Sequence, residues 1–177
     1  MPKKKAETRN VPTKNYVIAI FVFLAIILTS LYALKWYQVK EKELYRESYL
    51  IKSGAVSFEI KDLFELKQVI QETPDTYFVF IGYRDNKDEY ILEKELKPLI
   101  TQYNLKDIFY YVDATDVINK DNYKSEYNKY LNLTNEKITK APVLLYFKEG
   151  TYKLFDENIK IEFKNLLEKE DFEKIAK

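Results

Sequence analysis

The stretch "FVFIGYRDNKDEY" (residues 78–90) sends an apolar run straight into a charged loop. With Thr76 and Tyr77 added, "TYFVFIG" (76–82) is β-branched and aromatic almost throughout, the pattern of a strand buried on both faces. Arg84, Asp85, Lys87, Asp88 and Glu89 follow at once. The carboxyl end of a buried strand is where open α/β sheets gather ligands. The stretch therefore sets both the fold class and the first place to look for chemistry.

Working outward, "AVSFEI" (55–60) alternates like a short strand. "KDLFELKQVIQE" (61–72) spaces Leu63, Leu66, Val69 and Ile70 at a helical period, and Thr73-Pro74 stops it. After the charged loop, 88–103 predicts a helix facing inward with Leu92, Leu96, Leu99 and Ile100, kinked or ended a turn early by Pro98. "DIFYYVDA" (107–114) predicts another buried strand, and "DNYKSEYNKYLNL" (121–133) a polar helix. "PVLLYF" (142–147) and "TYKLF" (151–155) make a hairpin about Lys148-Glu149-Gly150. A last helix fits 160–175, around Ile161, Leu166, Leu167, Phe172 and Ile175. The order β-α-β-α-β-α-β-β-α gives parallel pairs in its first half and an antiparallel hairpin in its second. A mixed sheet flanked by helices follows, in an α/β domain over 55–177.

Ahead of it lies "YVIAIFVFLAIILTSLYAL" (16–34), nineteen residues without a charge. As a helix this spans roughly 28 Å, close to the ~30 Å hydrocarbon core of a bilayer. Tyr16 at one end, and Tyr32, Trp36 and Tyr37 at the other, sit where interfacial aromatics belong. A cleaved signal peptide would carry a shorter apolar run and small residues at its end; here bulky Trp36 and Tyr37 follow. The expectation is a signal anchor whose partner is the lipid bilayer. Lys3, Lys4, Lys5, Arg9 and Lys14 form a basic tail over 1–15, which the positive-inside rule keeps in the cytoplasm. The C-terminal domain is then extracytoplasmic, on the cell membrane. Residues 35–54 read as a charged continuation of the helix or a stalk.

Composition narrows the chemistry. The chain has 29 basic and 28 acidic residues, a balance that offers nothing to nucleic acid. It has no Cys and no His. That removes disulfides, thiol catalysis, the commonest general base and the commonest metal ligand.

The strand order, together with "KAPVLLYFKEGTYKLF" (140–155), resembles the thioredoxin superfamily. The match covers about 55–176, and "FVFIG" before a charged loop resembles the thioredoxin-like bacteriocin-transport accessory proteins of Gram-positive bacteria. The resemblance implies a cis peptide bond at Ala141-Pro142 and a peptide-binding groove beside it. It also puts Asn86 and Glu89 where the family has its Cys-x-x-Cys. Neither residue carries the sulfur that thiol exchange requires, so the redox site is missing.

The expected function is a redox-inactive binding or assembly module, with Tyr83, Arg84, Asn86, Glu89, Ala141 and Pro142 lining a groove for a protein or peptide partner. No cofactor, metal or catalytic residue is expected. Two rivals stand beside this reading. One is a structural subunit of an envelope or secretion complex. The other is an enzyme with acid–base or metal chemistry on Asp85, Asp88 and Glu89, or on Asp113, Asp116 and Asp121. Against the enzyme, Asp88 and Glu89 fit the first turn of a helix, where negative charge complements the dipole, and Asp113-x-x-Asp116 fits a loop and helix cap.

Overall fold

In the computed structural model, residues 12–72, 75–170 and 172 are described. Residues 1–11 of the basic tail, the Thr73-Pro74 stop and Ile175 lie outside them; the last helix, expected over 160–175, ends at Lys169 with Glu170 as its C-cap. The chain divides between Glu43 and Leu44 into two compact units. The first contains most of one helix, Thr13–Leu44 (α1), of 32 residues. Its apolar side chains face outward all round; Ile18, Phe21, Phe23, Leu28 and Leu31 are each more than half exposed. By length and composition this helix can cross a membrane.

The stalk expected over 35–54 does not hold to its end. The long helix stops at Leu44, and Ser48 then caps a single turn, Tyr49–Lys52 (α2), through a hydrogen bond from Ile51 N. Leu50 is fully buried in the second unit, with Ala55 and Val56 beside it. Gly54, at φ 66°, makes the left-handed turn that lets Ala55 N donate back to Leu50 O.

The second unit continues with Phe58–Ile60 (β1), Leu63–Glu72 (α3), Thr76–Gly82 (β2), Lys87–Gln102 (α4), Phe109–Asp113 (β3), Tyr123–Tyr130 (α5), Val143–Lys148 (β4), Thr151–Phe155 (β5) and Ile159–Lys169 (α6). The sheet order is β1-β3-β2-β4-β5. The first three strands are parallel, β4 runs antiparallel to β2, and β5 to β4. This is a thioredoxin-like α/β sheet. Strand β2 is apolar throughout because both its faces are covered. Phe78 and Phe80 point into a core with Leu96, Ile100, Tyr111, Phe163 and Leu167, on the side of α2, α4 and α6. Tyr77, Val79 and Ile81 point into the other, with Leu66, Tyr123 and Tyr127 of α3 and α5. Pro98 lies inside α4 without ending it.

Candidate functional site

The charged loop is a short bridge from Gly82 to the start of α4. Asn86 is the N-cap: its Oδ1 accepts from Glu89 N at 3.0 Å, and its Nδ2 donates to Tyr83 Oη at 3.2 Å. Asn-x-x-Glu is the spacing of a capping box, the sequence signal that could have marked Asn86 as a cap. In a capping box the glutamate returns to the cap residue. Here Glu89 Oε1 instead accepts from Tyr83 N, across the loop. Gly82 leaves the room this needs, since a Cβ there would overlap Glu89 Oε1.

Glu89 is only 2 % exposed, and its Oε2 has no hydrogen-bond partner. Burial pushes its pKa up to about 9; the Tyr83 N–H opposes that rise, and the carboxylates of Glu93 and Asp113 add to it. Glu89 is therefore protonated at neutral pH. One turn on, Glu93 is equally buried. Its Oε2 accepts from Ser48 Oγ at 2.8 Å and from Leu50 N at 3.0 Å, which ties α2 to α4. Burial raises its pKa also, against those two donors. The Tyr111 hydroxyl lies among these acids; burial first, then Glu93, Glu89 and Asp113, hold it protonated far above neutrality.

Arg84 forms an ion pair with buried Asp113 at the end of β3, and Arg84 N donates to Thr115 Oγ1 at 2.8 Å. Thr115 in turn donates to Asp113 from both its N and its hydroxyl. Asp85, at φ 60°, is fixed by its N–H to Tyr45 O at 2.8 Å. Among the described residues no three acids come together as a metal-ligand group.

The expected site residues divide between two places. Tyr83, Arg84 and Asn86 line a small hollow with Tyr45, Glu47, Ser48, Tyr90 and Glu93. The Ala141–Pro142 bond is cis. Val143 pairs with Ile81, so Pro142 lies level with Gly82 in the sheet. Pro142, however, opens into a different cleft of about 510 Å³, lined by Leu92 and Glu95 of α4 and by Asp156 and Asn158 to Ile161 around the start of α6. Sequence reasoning missed that α6 wall. The paired charges at its rim, Glu95 with Lys160 at 3.2 Å, are far apart in the chain and carry no local signal.

No family model matches the chain, and no curated protein matches it. Among solved structures it is similar to thioredoxin O2 from Arabidopsis thaliana in the oxidized state: 16% identity, 63% of this chain and 91% of that one, TM-score 0.45. It is also similar to the Malassezia sympodialis thioredoxin: 14% identity, 64% and 90% of the two chains, TM-score 0.45. A mutant thioredoxin from Halobacterium salinarum is 13% identical over 70% of this chain and 96% of that one, with TM-score 0.43.

Proposed function

We propose that this chain is a membrane-anchored, redox-inactive thioredoxin-like module that binds a protein or peptide partner on the extracytoplasmic face. The observation that carries the reading is the contrast at the end of β2. The residues standing where the family has its thiols are consumed internally: Asn86 by capping α4, Glu89 by burial against Tyr83 N. The cleft at Pro142 stays open, with Leu92 and Ile161 on its walls. An extended peptide would take affinity there from main-chain hydrogen bonds and selectivity from those side chains. The resemblance to bacteriocin-transport accessory proteins adds a finer expectation, a secretion- or envelope-linked partner in a Gram-positive cell.

The acid–base rival has less support. Glu89 is protonated at neutral pH and nearly inaccessible, and Arg84 is held by Asp113.

The cysteine-free chain makes the test direct. A photo-crosslinker at Ile161 should capture a polypeptide in native membranes, and one at Phe64, exposed on α3, should not. No adduct from Ile161 in a folded protein would sink the cleft reading. A cysteine at Thr151 should react with an impermeant maleimide on intact cells; protection there would reverse the orientation.

A further inference from the structure

We infer that a second face of the globular unit, built from α2 and the exposed side of α4, docks on an anionic phospholipid surface. Tyr45, Tyr49 and Tyr90 form an edge-to-face cluster with centroids 5.2 and 5.3 Å apart. Lys94 Nζ lies 5.9 Å from the ring centres of both Tyr49 and Tyr90, and Lys97 Nζ lies 5.3 Å from that of Tyr49. Ile91, 46 % exposed, sits one turn before Lys94 on the same side of α4. The face thus combines half-buried tyrosines, an exposed aliphatic side chain and ammonium groups. Tyrosine is at home at a membrane–water interface, and lysine is drawn to anionic headgroups.

Charge complementarity favours this occupant. Among the described residues neither Lys94 nor Lys97 pairs with a carboxylate, nor does exposed Arg46 beside Tyr45. Of the acids around the face, Glu47 pairs with Lys52, Glu95 with Lys160, and Glu93 turns inward to Ser48 and Leu50, while exposed Asp88 lies in the first turn of α4, more than two turns before Lys97. Cation–π contact holds the two ammonium groups at the surface without neutralising them.

Chain distance supplies the second argument, and it rests on reading α1 as a membrane span. Helix α1 ends at Leu44, ten residues beyond the uncharged run that closes at 34. At ~1.5 Å per residue that tether is about 15 Å long. Tyr45, the first residue of the face, is therefore held within roughly two Debye lengths of the hydrocarbon edge at physiological salt. Weak contacts suffice at such proximity, because the tether keeps the local concentration of lipid high.

The test uses the full chain in vesicles of phosphatidylcholine, with and without phosphatidylglycerol. Separate single-cysteine variants carry a fluorophore at Leu28→Cys, Ile91→Cys or Phe64→Cys. A nitroxide on the lipid headgroup should quench the Ile91 label severalfold more in anionic than in neutral vesicles. High salt, or Lys94→Glu with Lys97→Glu, should abolish the difference; Lys94→Gln with Lys97→Gln should reduce it. The label at Phe64, across the sheet, should not respond to lipid charge. If Ile91 behaves like Phe64 while an acyl-chain nitroxide quenches Leu28, the span stands and the docking inference is wrong, leaving the face for a protein. If Leu28 is not quenched, the span itself fails and the docking inference falls with it.

Discussion

Two regions meet the carboxyl end of β2, and they have been treated in opposite ways. On one side, the corner leading into α4 is filled by the protein itself: Glu89 and Glu93 are each 2 % exposed, and Asp113 is 6 % exposed. On the other, the Pro142 cleft is open, and Ile161 on its wall is 58 % exposed. The end of β2 thus presents two different kinds of surface. In the corner, polar groups turn inward and act as framework. In the cleft, apolar groups stay outside. Substitutions in the corner should cost stability, and substitutions in the cleft should cost binding.

The largest effect should come from the brace beneath the corner. Leu50→Ala removes a fully buried side chain from α2 and should cost ~2–5 kcal/mol in urea unfolding. A loss below ~0.5 kcal/mol, as at a surface position, would mean that α2 is only a tether. Next is Gly82→Ala, whose Cβ would overlap Glu89 Oε1 and crowd the Phe80 and Tyr111 rings at 3.0 and 3.1 Å. It should cost ~1–3 kcal/mol, and Glu89→Ala on the same chain should recover part of that. An additive double mutant would show that Gly82 and Glu89 do not share the space.

A pH test sharpens the corner side. Glu89 has a raised pKa in the folded state, so between its ordinary value and about 9 the native protein holds a proton that the unfolded chain releases. Its contribution to stability is complete below the unfolded pKa and is lost as pH rises towards 9. Glu89→Gln should therefore flatten the fall in stability between pH ~5 and ~9, by a slope of at most ~1.4 kcal/mol per pH unit. Glu93, shifted in the same direction, should keep some slope in the variant. An unchanged slope would remove Glu89 as its source. The smallest effect on stability belongs to the cleft: Ile161→Ser should change it by no more than ~0.5 kcal/mol, while reducing partner capture by a crosslinker at Leu92. Stability loss without loss of capture would invert the comparison.

The central strands β2, β3 and β4 were legible because burial on both faces writes a continuous apolar run, whereas the strand expected over 55–60 is only Phe58–Ile60, since Ala55 and Val56 pack beside Leu50 instead. "TYFVFIG" became β2 at both its ends, and α4 lies within one residue of its expected span. The segment after α1 was misread for the opposite reason. Leu50 and Ile51 are two apolar residues among charges, too few to display a period, yet one fills a socket made by residues distant in sequence. Glu93 was unreadable for a related cause. A glutamate four residues after another on a charged helix looks solvated, and only the Ser48 and Leu50 donors across the fold explain its burial. Arg84 was expected at a groove wall, but its partner is Asp113, 29 residues away, at the end of the neighbouring strand.

The bond between Tyr45 O and Asp85 N has a mechanical meaning. Tyr45 is the first residue beyond the long helix, so tension entering the globular unit through its leading end meets this bond first. The Glu93 bonds to Ser48 and Leu50 come next along the chain. Pulling from this end should open these contacts in that order, with the buried Leu50 side chain holding α2 until they have gone, so the leading segment should open before the five-stranded sheet unfolds.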